Sequence, residues 1–181
     1  MKVSHKEIDS GYAEINRQIR LIAEHNPIVE VGVLEGSGDA KTPDGKPSMT
    51  LASLATIHEY GSPANHIPQR SFIGSTMDES APQFHEATNK LIDRIIEGKQ
   101  TVASSLTILG LLITKSIKAK IQSNIAPALS PATIRRKSKK GGPSTALIDT
   151  GQLVNSINFL VKLEGDGTAG SGDIQLRGND V

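Results

Sequence analysis

The sequence predicts an α+β fold: a small, mainly antiparallel sheet packed against two long helices, with long loops. Three observations predict it. Apolar residues step by three or four from Thr101 to Ile125 (Val102, Leu106, Leu109, Ile113, Ile117, Ile121, Ile125), and again from Asp78 to Glu97 (Phe84, Ala87, Leu91, Ile95). That is helical periodicity. In Ile28 to Leu34 valines alternate with Glu30 and Gly32, and further on Phe159, Val161 and Leu163 alternate, which is strand periodicity. Finally, 181 residues suit one domain with one core, so all the elements are expected to share it.

Taken in order, Ile15, Ile19 and Ile22 give Tyr12 to His25 a helical stripe that Asn26-Pro27 ends, because the residue before Pro is pushed out of the α region. Residues 1–27 thus form an N-terminal helical region. The strand Ile28 to Leu34 follows, and then Glu35 to Ser48, rich in Gly, Pro, Asp and Lys, reads as a solvated loop or hairpin tip. Thr50 is placed to cap a short helix from Leu51 to Tyr60, stopped by Gly61-Ser-Pro63. Pro82 is expected in the first turn of the helix from Asp78 to Glu97. Pro127 to Ala146 shows no periodicity and is expected to be a basic, flexible loop over 126–146. Asp149-Thr150-Gly151 then starts a turn or short helix, Asn158 to Leu163 forms a strand, and 164–181 is a flexible connection with a last short strand at Ile174 to Arg177.

Composition limits the core and the chemistry. Only five residues are aromatic (Tyr12, Tyr60, Phe72, Phe84, Phe159), so Ile, Leu, Val and Ala must fill the interior. With hydrophobic residues at 36%, that core is thin, and part of the chain is expected to be loop or partner-covered surface. No Cys means no disulfide and no thiolate chemistry. The longest apolar run, Ile108 to Ile113, is short of the roughly 20 residues of a membrane span, and Met1 to Glu7 lacks a signal-type apolar stretch. The expectation is a protein made in the cytoplasm without a membrane partner.

Net charge is +1, but it is unevenly spread. Lys99 to Ile148 holds nine Lys or Arg and no acid; 20 less 9 leaves 11 cations against 19 acids in the remainder, a net of −8. Arg135, Arg136, Lys137, Lys139 and Lys140 make the basic segment the best candidate for partner or DNA contact. No aromatic residue lies between Phe84 and Phe159 to stack on bases, which favours a partner-facing role over DNA.

No catalytic or cofactor pattern is complete. His58-Glu59 begins a zinc-helix motif, but position 62 is Ser. Gly36 to Thr42 lacks the glycine before Lys41 that a phosphate loop needs. Neither Asp39 with Asp44 nor Asp166 with Asp173 has the alternating ligands and closing Glu of a calcium loop. None of the five histidines accompanies a nucleophile motif. The reading is therefore no enzyme, no metal and no cofactor.

Two segments carry a resemblance. One runs from Ala55 to Gly61 (ATIHEYG), continuing as Ile67 to Phe72 (IPQRSF) and Thr76 to Glu79 (TMDE); the other is Ala146 to Ile157 (ALIDTGQLVNSI). In this order, with helices between, they resemble the tail-completion or neck proteins of tailed bacteriophages, over roughly Val29 to Leu163. The resemblance implies a structural virion protein that joins head and tail as a homo-oligomeric ring, a hexamer on the tail side. Its partners would be its own copies and other neck, connector or tail proteins, with non-specific DNA contact as a further expectation. A tail terminator or a head-side adaptor is the alternative within that class, and a DNA-binding module using the basic segment is the alternative outside it. Architectural roles are expected for Arg70, holding a carboxylate or carbonyl in its own subunit or the next, and for Phe72, filling a pocket. Asp149 or Thr150 would cap a helical turn, Gly151 would permit its tight start, and Leu153 would dock it.

Overall fold

The computed structural model describes residues 11–34, 36–41, 47–139, 141–162 and 176–177. In chain order these form α1 (Tyr12–His25), β1 (Ile28–Val33), β2 (Asp39–Lys41), β3 (Pro47–Thr50), α2 (Leu51–Tyr60), α3 (Gly74–Ile96), α4 (Val102–Gln122), α5 (Pro131–Lys139), α6 (Gln152–Ser156), β4 (Ile157–Lys162) and β5 (Leu176–Arg177). The fold is α+β, as the two periodicities predict. Lys140 and the segment from Glu164 to Asp173 lie outside the described residues, as does the start of the last expected strand.

Strand β4 is central. It pairs antiparallel with β1, Val31 opposite Phe159, and on its other side with β5, giving the order β1-β4-β5. Strands β2 and β3 form a separate antiparallel hairpin that starts within the segment Glu35 to Ser48, expected to be loop or hairpin tip, and runs past it to Thr50. Helix α4 lies across β1 and β4, and α3 packs against α4. The core between them holds Phe72, Phe84, Ile113, Ile117, Ile121, Leu153 and Ile157. By length and composition α4 is long and apolar enough to cross a membrane; here it is the helix on which the sheet and α3 pack.

Helix α4 and strand β4 approach closely at Gly110. A Cβ built there would lie 2.5 Å from Cδ2 of Phe159, so the ring of Phe159 occupies the space of the missing side chain. The buried face of α4 follows from this. Val102, Ile113, Ile117 and Ile121 are buried as expected, but Gly110 and Thr114 join them while Leu106 and Leu109 are only half-buried. Helix α4 is also shorter than its periodic stripe. Its start is fixed by a capping box of Thr101 and Ser104, and it ends at Gln122, before Ile125, with Asn124 in the left-handed region at φ 60°.

Three other expectations are corrected. In α1, Ile19 and Ile22 face solvent and Gln18 is buried instead. Oε1 of Gln18 accepts from the Val102 N–H (2.9 Å), a first-turn donor of α4 with no partner inside its own helix. Helix α3 starts at Gly74, ahead of Asp78, so Pro82 lies well inside the helix rather than in its first turn. The segment 126–146 is not structureless, because Ser130 caps the short helix α5: its Oγ accepts from Thr133 N–H at 3.2 Å.

Replacing Gly110 by Ala should lower the melting temperature. Overpacking against Phe159 costs about 1–3 kcal/mol, more than the gain of about 1 kcal/mol in helix propensity. An unchanged or raised melting temperature would mean that the ring shifts freely.

Candidate interaction site

The first motif folds around the carboxylate of Glu59. Helix α2 begins at the Thr50 cap, which accepts from Ser53 N–H at 3.1 Å, and ends at Gly61. Gly61 has φ 78°, and a Cβ there would meet Gln69 N at 2.8 Å, so only glycine permits the close return of the chain. A bridge between Ser62 and Ile67 closes the loop, and Arg70 N–H donates to His58 O at 2.8 Å. The next residues thereby reach the side chain of Glu59.

That carboxylate accepts four hydrogen bonds: from Ser71 Oγ (2.6 Å) and from the backbone N–H of Phe72 (2.8 Å), Ile73 (2.9 Å) and Gly74 (2.9 Å). These N–H groups are the unpaired donors at the start of α3, and the negative charge meets the positive end of the helix dipole. Burial pushes the Glu59 carboxyl upward, but the four hydrogen bonds outweigh it and hold it below its ordinary value. Thr101 caps α4 from its own chain segment; α3 is capped from another helix.

Arg70 is buried, and its Nε donates to Pro127 O at 2.9 Å. Of the partners expected for it, the structure selects a carbonyl of its own chain, tying the lead-in of α5 to the segment between α2 and α3. Phe72 is fully buried in the core, as expected of a pocket-filling anchor.

The second motif is anchored differently from the expectation. Gly151 itself, at φ 78°, occupies the N-cap position of α6 with no side-chain cap, and Asp149 and Thr150 are exposed. Leu153 does dock on the core. Gln152 pairs with both backbone groups of Lys41, Oε1 accepting from its N–H (2.6 Å) and Nε2 donating to its O (3.0 Å), while Nε2 also donates to Thr150 Oγ1 (2.7 Å). Gln152 thus pins the β2–β3 hairpin to the motif.

The basic residues divide. Arg135, Arg136 and Lys139 are exposed on α5. Lys137 is buried: its Nζ donates to Thr145 O (2.7 Å) and to Ile148 O, and so satisfies carbonyls of the turn before α6. Burial lowers its pKa. Lys137 is therefore a fastening for α5, which corrects its expected role as a partner or DNA contact.

Between these parts lies a cavity of about 500 Å³ that brings the two motifs together. His58 lines it from the first, Asp149, Thr150, Gly151 and Leu153 from the second, and Thr133 and Arg136 from α5. Nδ1 of His58 is buried with no hydrogen-bond partner. Burial, helped by the charge of Arg70, keeps this imidazole below its ordinary pKa and so neutral at pH 7. Glu59, Arg70 and Lys137 all direct their charged or polar ends to backbone groups. Among the described residues no cluster of three or more His, Asp or Glu side chains is placed to hold a metal ion. Arg70, Phe72, Gly151 and Leu153 were legible as architectural positions, whereas Glu59, Gln152 and the inward turn of Lys137 were not. Their bonds run to residues 11 to 111 positions away or reverse the usual exposure of a lysine. Comparison with protein-family models, curated proteins and solved structures returns no match.

Two outcomes follow. Glu59→Ala leaves three backbone donors unpaired and should reduce unfolding free energy by about 2–4 kcal/mol, measured by urea denaturation. Stability should also depend on pH in two steps. The folded pKa of His58 lies below its unfolded value, so its stabilising share is complete above about pH 6.5 and falls as the pH drops towards the folded value. Glu59 has the same sign, complete above about pH 4.3 and lost in more acid solution. His58→Gln should remove the first step in the urea midpoint and leave the second; a flat wild-type profile between about pH 7 and 5 would refute this.

Proposed function

We propose that this chain is a structural component of a tailed-bacteriophage virion, a neck or tail-completion protein that joins head and tail as a homo-oligomeric ring. The carrying observation is that the two motifs of the resemblance, far apart in sequence, border one cavity, His58 from the first and Asp149 to Leu153 from the second, while Glu59, Arg70 and Gln152 bind backbone groups. That arrangement supports a role exerted through shape and contact. Phe72 and Leu153 anchor the motifs in the core, and Glu59, Arg70 and Gln152 set the angles between the elements that carry them. The partners in this reading are further copies, six on the tail side, together with other neck, connector or tail proteins. No cofactor takes part.

A second reading, a DNA-binding module, draws support from one observation: Arg135, Arg136 and Lys139 project from α5 without a nearby acid in the same stretch of sequence. It predicts duplex affinity that falls steeply with salt. Against it stands the acidic remainder of the chain, which repels a polyanion.

Electron microscopy of lysates from a phage lacking this gene tests the proposal. Filled heads beside separate tails of normal length are expected. Overlong tails would replace the completion role with that of a terminator, and intact infectious virions would end the virion reading.

A further inference from the structure

The charge imbalance of the sequence becomes a pattern of faces in the fold. Along α3 and at its C-cap, Asp78, Glu79, Glu86, Asp93 and Glu97 are all exposed. At 3.6 residues per turn they fall within an arc of about 100° and extend along about 28 Å of helix. This stripe lies opposite the side that buries Phe84 and Ile95. Glu79, Glu86 and Glu97 each meet one lysine of their own chain, and Asp78 and Asp93 make no ion pair among the described residues.

Helix α5 is the counterpart. Arg135, Arg136 and Lys139 also fall within an arc of about 100°, all exposed, while Lys137 points inward to its two carbonyls. Fastened by Lys137 and by the bond from Arg70 to Pro127, α5 holds its cations outward on a fixed support.

The geometry points to a contact between copies: the basic face of α5 on one chain receives the acidic stripe of α3 on the next. The two faces are different patches of one surface, so the contact is head-to-tail and propagates to further copies. Charge complementarity selects a second copy over duplex DNA. Outside Lys99 to Ile148 the chain carries a net charge of −8, which repels a polyanion and attracts the basic helix of another copy. The inference deepens the proposed function by naming the contact that builds the ring, and rests on that reading for its setting.

Sedimentation of the full-length chain in salt tests it. Self-association is expected to weaken about tenfold or more between about 50 and 500 mM salt, as the Debye length contracts from about 14 Å to about 4 Å. Arg135→Glu with Arg136→Glu and Lys139→Glu should abolish association, as should Asp78→Lys with Asp93→Lys. Combining both sets in one chain should restore it. These side chains are exposed, so melting curves should change little, and Arg20→Glu on α1 serves as a control that leaves association intact. A monomer at every salt concentration, or no restoration in the combined variant, overturns the proposal. So does a triple α5 variant that loses affinity for a duplex DNA probe while still self-associating. Association through other residues removes this contact and leaves the virion reading standing. Salt-sensitive association through α5, beside intact virions from phage lacking the gene, would do the reverse.

Discussion

The carboxylate of Glu59 stands at the last turn of one helix and closes the first turn of another, and much of the molecule is positioned through that join. Three backbone donors and a serine hydroxyl converge on it, so the path from Ser71 to Gly74 has little freedom. That path sets where Phe72 enters the core and the direction in which α3 departs. An exposed carboxylate would be a weak constraint, since water competes for every donor. Here burial makes the alternative, three orphaned N–H groups, expensive, and the site is correspondingly rigid.

The other supports have the same character. Gln18 closes a donor at the start of α4, Arg70 holds the carbonyl of Pro127, Gln152 pairs with Lys41, and Lys137 gathers the carbonyls of Thr145 and Ile148. Each is a polar side chain acting on the backbone of a distant segment. A chain with so few aromatic residues has limited means of fixing its loops by packing alone. Hydrogen bonds from long polar side chains do that work, while the apolar core gathers around α4 and β4, with Ala55, Phe72, Phe84, Leu147 and Leu153 packed into it.

This division bears on function. Glu59, Arg70 and Lys137, of types that serve chemistry elsewhere, are directed here to carbonyls and amides, while exposed Arg135, Arg136 and Lys139 give α5 a basic face and α3 carries its acids beside Lys90 and Arg94. A molecule arranged in this way presents firm, differently charged faces, which suits assembly with copies and partners. The unfilled apolar face of α1, with Ile19 and Ile22 exposed, belongs to the same picture of a surface larger than its core can cover.

Although Phe159, Leu160 and Val161 of β4 are all buried and do not alternate, local pattern was enough to read the α+β class, the limits of α1, the Thr50 cap and the existence of strands β1 and β4, because each depends on neighbours within one or two turns of chain. It also marked Phe72 and Leu153 as anchors, since a large apolar residue set in a rigid turn has few other uses. Tertiary structure alone decided the early start of α3, which needs a carboxylate from another helix, and the inward face of α1, which needs a donor from α4. It also decided that Gly110 faces Phe159 and that Lys137 is buried among carbonyls while Arg135 and Arg136 are not. Periodicity reports which side of an element is apolar. It carries no information on which distant backbone group is left without a partner, and in this protein those groups determine how the elements are joined.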